Sequence, residues 1–317
     1  MRSFFATLAA VWVVGIVAGL VYAQQQHIPA WAAAAILPAF LVELAFYALP
    51  GFEAPREWLR GRNALLCGSA LLPYLILSIG AGNFSWTGLF KLTILVVLVV
   101  FWFQLLPRRP WVDLAFMVMV VGIFMGKTFP AIYLNPLGKP ALDILGRLML
   151  ARLGITAVLL YRGSGNVNFG FIPGPREWLI GLRCFVILAV FVAPIAFGVG
   201  FVTGLNPALG LKSVAVAVGT FLLILWSVAL YEEFFFRGLL QSAMSGLLRN
   251  ESAGLVVTSV LFGMSHLPFR GFPNWRMAVV ATVAGLIYGK AYQDGKGVRA
   301  AMVTHALTVT TWRVLLS

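Results

Sequence analysis

The chain is divided into eleven apolar stretches, at residues 4–23, 30–49, 64–81, 88–106, 112–127, 143–161, 184–203, 212–236, 252–268, 275–293 and 298–316. Most are about 17–22 residues long, enough to cross a hydrocarbon core of about 30 Å as a helix and too long for membrane strands of about 10 residues. Lipid-exposed backbone must satisfy its own hydrogen bonds, so only helix bundles and closed barrels span a bilayer. The run lengths select the first. Hydrophobic residues make up 61% and charged residues 10% of 317 positions, with mean hydropathy +0.94. A soluble domain carries roughly a quarter charged residues. The predicted fold class is therefore all-α, a polytopic integral membrane bundle of about eleven transmembrane helices.

The net charge of +13 comes from 23 basic residues scattered over short loops, which fits membrane topology rather than a nucleic-acid stripe. If the N-terminus defines one side, that side carries fourteen Lys and Arg against seven on the other, with Arg147 and Arg152 inside a span. The bias predicts a cytoplasmic N-terminus and an external C-terminus. Val21-Tyr22-Ala23 resembles a signal-peptidase site, but the run before it is long for a signal and a second span follows at once, so it reads as an uncleaved first helix. Cys67 and Cys184 lie in apolar surroundings without a CxxC or Cys/His cluster, which excludes a disulfide framework and a zinc knuckle. The stretch 143–161, with Asp143, Arg147 and Arg152, reads as a tilted or partly interfacial helix.

Pro55-Arg56-Glu57-Trp58-Leu59-Arg60-Gly61 recurs as Pro175-Arg176-Glu177-Trp178-Leu179-Ile180-Gly181, each copy preceding a span. Proline at a helix start, a charged pair and an interfacial Trp make a membrane-surface anchor. The loosest loop runs from Gly163-Ser164-Gly165-Asn166 to Pro173-Gly174-Pro175. It predicts two domains, an N-terminal bundle over 1–165 with no assigned role and a C-terminal core over 175–317. His27 lies in a short Gln-rich loop and reads as solvated.

Only 10 acids occur in the chain, and two of them are adjacent in Tyr231-Glu232-Glu233-Phe234-Phe235-Phe236-Arg237, at the end of an apolar run. An ionisable group at bilayer depth marks a functional site. Glu233 and Arg237 are i, i+4 on a helix, acid first, so Arg237 can hold Glu233 ionised. Glu232 points about 100° away and is free to face a cavity. The turn to the next helix falls near Asn250-Glu251-Ser252, 18 residues after Glu232 and 16 before His266. At 1.5 Å per residue those are about 27 and 24 Å, which puts Glu232 and His266 at similar depth in an antiparallel pair. Phe262 shares a face with His266. His305 lies in the last span beside Thr304 and Thr308. A carboxylate and an imidazole facing one water suit general-base hydrolysis, and a second imidazole can serve the oxyanion.

Glu232-Glu233-x-x-x-Arg237, then Phe262-x-x-x-His266, then His305, one motif per helix, resembles the CAAX-protease and bacteriocin-processing (CPBP) family of intramembrane glutamic endopeptidases, which includes the type II CAAX prenyl endopeptidase. The resemblance covers about residues 175–317. It implies that Glu232 is the catalytic base and His266 its water-holding partner, that Glu233 and Arg237 support the site, and that His305 serves the oxyanion, with no metal and no cofactor. It further implies a membrane-associated protein or peptide substrate, no nucleic-acid partner, and residence in a prokaryotic cell membrane. The family often has Asn or Asp four residues after the last His; here Val309 stands there, and Thr308 is the nearest substitute. Two other readings use the same residues. One is a zinc-dependent membrane peptidase, although no HExxH is present. The other is a non-catalytic membrane protein of binding, immunity or transport type, which Val309 favours.

Overall fold

A computed structural model describes residues 1–126, 128–135, 137–138, 140–162, 169–204 and 210–316. Lys127, Lys139 and the Gly163–Asn166 part of the expected boundary loop lie outside the described residues. Each of the eleven apolar stretches contains a helix among the described residues. Among the described residues, seven helices, the first at Arg2–Gln25 and the last at Ser213–Leu248, are long and apolar enough to cross a membrane, and Pro110–Phe124 and Glu251–Met264 are shorter apolar helices. The chain is an all-helical, polytopic integral membrane protein.

The helices fall into two compact units. The first comprises Met1–Arg108 and Val118–Gly163. It contains α1 (Arg2–Gln25), α2 (Ala30–Ala48), α3 (Glu53–Trp58), α4 (Asn63–Gly80), α5 (Trp86–Leu105), the later part of α6 (Pro110–Met125), and α7 (Asp143–Tyr161). The reading of α7 as partly interfacial is corrected by its surroundings: every residue from Leu148 to Leu160 is buried. A helix apolar on all faces belongs at the centre of a bundle, and Arg152 can follow it there because Glu43 of α2 meets it. The Arg152 guanidinium donates from Nε to Glu43 Oε1 at 2.6 Å and from Nη2 to Oε2 at 3.2 Å. It also bonds the hydroxyl and carbonyl oxygens of Ser69 in α4, at 3.1 and 2.9 Å. This fork engages both carboxylate oxygens, the geometry that makes Arg rather than Lys suited to a buried pair.

The second unit comprises Arg109–Met117 and Ser164–Ser317. The start of α6 joins it through Phe116, whose ring centroid lies 6.4 Å from that of Phe235. Its helices are α8 (Pro175–Gly198), α9 (Leu211–Ile224), α10 (Leu230–Glu233), α11 (Ser242–Leu248), α12 (Glu251–Met264), α13 (Trp275–Gly295) and α14 (Val298–Leu315). The repeated anchor behaves differently in its two copies. The first is the separate short α3, tied down where Arg60 pairs with Glu57 and donates to the Leu160 carbonyl at 2.7 Å. The second runs straight into α8, so that helix begins at Pro175 rather than 184. Its charges are met by other helices, Glu177 by Arg299 at 2.7 Å and Arg183 by Asp294.

Leu225–Ala229 and Phe234–Gln241 wind as π-helix, so α9, α10 and α11 form one continuous rod to Leu248 instead of ending near residue 236. Arg249 turns the chain with φ +50°, and the Asn250 side chain caps α12 by accepting from the Ala253 N–H at 2.9 Å. Close packing of α13 on α12 requires Gly263: a Cβ there would sit 2.5 Å from the Ala278 carbonyl oxygen, which is backbone and cannot swing aside.

Removing one partner of a buried ion pair strands the other charge in a low-dielectric interior. Glu43→Ala is expected to destabilise the protein by about 3–5 kcal/mol, and the double change Glu43→Leu with Arg152→Met to recover much of that loss. Thermal denaturation of the detergent-purified variants measures both.

Candidate active site

Glu232 and Glu233 sit on the single turn of α-helix between the two π-helical segments. A π-bulge inserts a residue per turn and re-aims the side chains around it, and such bulges concentrate at functional sites. Here every residue from Glu233 to Gln241 is buried. The side chains of Glu233 and Arg237 are fully inaccessible, while that of Glu232 is 19% exposed.

Glu233 is the centre of the arrangement. Its Oε2 lies 3.2 Å from Arg237 Nε, and its Oε1 lies 2.7 Å from His305 Nδ1. A carboxylate that bonds one imidazole nitrogen fixes the ring's orientation and directs the other nitrogen outward. His305 Nε2 therefore points toward Glu232, whose Oε2 is 3.9 Å away. The other Glu232 oxygen meets the Tyr231 hydroxyl at 3.4 Å. Glu232 Oε2 is buried without a hydrogen-bond partner among the described residues.

Arg237 is held from other directions as well. Its Nη2 donates to the Gly285 carbonyl of α13 at 3.1 Å, and a Cβ at Gly285 would lie 3.3 Å from that nitrogen. The guanidinium sits 4.5 Å from the Phe262 ring centroid and 5.4 Å from that of Tyr288. Aromatic faces attract a desolvated guanidinium. Tyr288 stacks on His305 with centroids 4.7 Å apart and planes at 12°. Sequence reasoning missed Tyr288, since a Tyr in an apolar stretch reads as packing, and only its position on the ring of His305 distinguishes it.

His266 lies just past α12, in the turn after Met264 rather than inside a helix. Its Nδ1 contacts the Phe262 carbonyl at 2.8 Å. A carbonyl only accepts, so Nδ1 carries the hydrogen and Nε2 keeps a lone pair. The Phe262 ring lies edge-on to the imidazole at 4.7 Å and also borders His305 at 6.1 Å. His266 and His305 both line a cavity of about 140 Å³ between α8, α13 and α14, walled mainly by apolar side chains such as Val192, Ala281 and Trp312. Glu232 is not among the residues lining it. The structure thus joins Glu232 to His305 by direct approach and His266 to His305 through Phe262 and the shared cavity.

Thr308 also lines this cavity, with its hydroxyl donated to the Thr304 carbonyl at 2.7 Å. Val309 lines the cavity with an apolar side chain. Among the described residues, no group of three His, Cys, Asp or Glu side chains has a metal-holding arrangement.

Residues 212–311 match the family model described as Type II CAAX prenyl endopeptidase Rce1-like. This segment of the chain is thus similar to the CAAX protease (CPBP) family. The match takes in the acidic turn, Phe262, His266 and His305, and it leaves α1 to α8 outside. No curated protein and no solved structure matches the chain.

Arg237 is enclosed by ring faces and a backbone carbonyl that suit a planar guanidinium. Arg237→Lys is expected to lose about 1–3 kcal/mol despite keeping the charge, and Arg237→Ala about 3–5 kcal/mol. The order of the thermal midpoints checks this; a lysine variant as stable as wild type would contradict it.

Proposed function

We propose that this protein is an intramembrane endopeptidase that hydrolyses a peptide bond of a membrane-associated protein or peptide with water activated by Glu232 and His266. The observation that carries the reading is the buried Glu232 oxygen with no hydrogen-bond partner, 3.9 Å from His305 Nε2. Leaving such an oxygen unmatched costs about 1–3 kcal/mol, and functional groups are a usual reason for bearing that cost. The family match supports the reaction class.

In this mechanism the Glu232 carboxylate takes a proton from water while the His266 Nε2 lone pair accepts the second water hydrogen and orients it. The oxygen adds to the scissile carbonyl carbon, and the carbonyl electron pair moves to its oxygen. His305 Nε2 donates to that oxyanion, and Glu233 on the opposite nitrogen balances the charge this requires. When the C–N bond breaks, the proton on Glu232 passes to the leaving amine. Glu233 and Arg237 hold the arrangement without touching substrate. Phe262 fixes His266. Thr308 braces the helical turn after His305 rather than donating to the oxyanion, because its hydrogen is committed to Thr304. Metal independence is part of the reading: Glu233 is occupied by Arg237 and His305, and His266 Nδ1 by a carbonyl.

The N-terminal unit over 1–165 is proposed to be a separate module from the 175–317 core, with the N-terminus on the cytoplasmic side, in keeping with the basic-residue bias. The membrane is that of a prokaryotic cell in this reading.

A fluorogenic peptide ending in a prenylated cysteine motif, and the same peptide without the prenyl group, test the activity in reconstituted vesicles. Glu232→Gln and His266→Ala are each expected to lower cleavage by about 10²–10⁴ with normal membrane insertion. Full activity in either variant would sink the mechanism, and chelator-sensitive cleavage with stoichiometric zinc would favour a metallopeptidase. Val309→Asn adds a donor near the oxyanion and is expected to raise kcat about ten-fold. An unchanged rate would show that Val309 costs nothing.

A further inference from the structure

We propose that Tyr288 is the positioning residue for His305, the part of the site that α13 supplies; its catalytic consequence rests on the function proposed above, while its geometric claim does not. The hydrogen bond from His305 Nδ1 to Glu233 fixes one edge of the imidazole. A ring held at one nitrogen can still pivot about that bond. A second constraint on its face is needed to define the plane in which Nε2 points.

Tyr288 supplies it. The two rings are close to coplanar in orientation, 12° apart, with centroids at 4.7 Å. Tyr288 is itself immobilised from three directions. Its hydroxyl lies beside Thr308, one turn beyond His305 on α14. Its ring lies 5.4 Å from the Arg237 guanidinium carbon. Its other neighbour is the Phe262 ring, edge-on at 6.1 Å. Only 2% of Tyr288 is exposed. The stacked phenol thereby restricts the plane of the imidazole. The position four residues after His305 holds Val309, which has no polar side-chain atom to steady the imidazole region, so the steadying comes from the adjacent helix.

The test compares Tyr288→Phe, which keeps the ring and loses the hydroxyl, with Tyr288→Leu, which loses the stacking face. Wild-type full-length protein in nanodiscs, with ¹⁵N-labelled histidine, is expected to show a protonated, hydrogen-bonded Nδ1 resonance for His305, assigned by its disappearance in His305→Gln. That resonance should persist in Tyr288→Phe and broaden or vanish in Tyr288→Leu. With the peptide substrates above, Tyr288→Leu should lower kcat about 10–100-fold, the usual effect of a small misplacement of a reacting group, with KM within about two-fold. Tyr288→Phe should stay within about five-fold of wild type. An unchanged resonance in Tyr288→Leu overturns the proposal whatever the rate does, because a merely structural tyrosine would lower stability without freeing the imidazole. A lost resonance with an unchanged kcat overturns its catalytic part. If Glu232→Gln leaves cleavage intact, the protease mechanism fails on its own, and the resonance still decides whether Tyr288 positions His305.

Discussion

Glu233 is fully buried with Arg237 on one of its oxygens and His305 on the other, and the rest of the site depends on that pairing. Its two oxygens are divided between them, at 3.2 Å from Arg237 Nε and 2.7 Å from His305 Nδ1. The first contact cancels charge that water cannot solvate there. The second turns the leftover acceptor into a device for aiming an imidazole. Glu232, one residue earlier, is left with a buried oxygen that makes no hydrogen bond among the described residues and lies 3.9 Å from His305 Nε2. Two adjacent acids thus acquire different environments from the helix geometry that separates them by about 100°.

The same physical problem is solved once more in the N-terminal unit. Glu43 and Arg152 are both buried and joined by two hydrogen bonds, with Ser69 taking two further donors of the guanidinium. That pair stands beside no histidine in the sequence of its helices and reads as a brace for α2, α4 and α7. The pair in the second unit differs by having an imidazole on the carboxylate and aromatic faces on the guanidinium. A charge pair alone stabilises; a charge pair with a third, titratable partner opening on a cavity can do chemistry.

Much of the arrangement was legible beforehand, and for identifiable reasons. Span positions follow from run length against bilayer thickness. Glu233 beside Arg237 follows from i, i+4 spacing, which a π-wound stretch still respects. The hairpin turn at Arg249–Asn250 follows from a capping residue before an apolar run. Other features were hidden because they depend on partners far along the chain. Arg152 looked interfacial until Glu43, 109 residues earlier, was brought to it. The α8 start at Pro175 looked like an anchor outside the span until Arg299 and Asp294 met its charges. The π segments leave no mark in the residue pattern, and they carry the helix past its expected end.

The sequence by itself determined the helical membrane class and singled out the candidate site residues, since each is a local matter of run length, scarcity of acids and spacing within one helix. Only the tertiary structure decided who holds whom. It gave Glu233 to His305 as well as to Arg237, brought Glu232 toward His305, reached His266 through Phe262, and laid Tyr288 on the imidazole face. The reason is that a buried charge is indifferent to sequence distance: it takes whichever partner the packing of α12, α13 and α14 delivers within about 3 Å, because an unmatched one costs more than the strain of bringing them together.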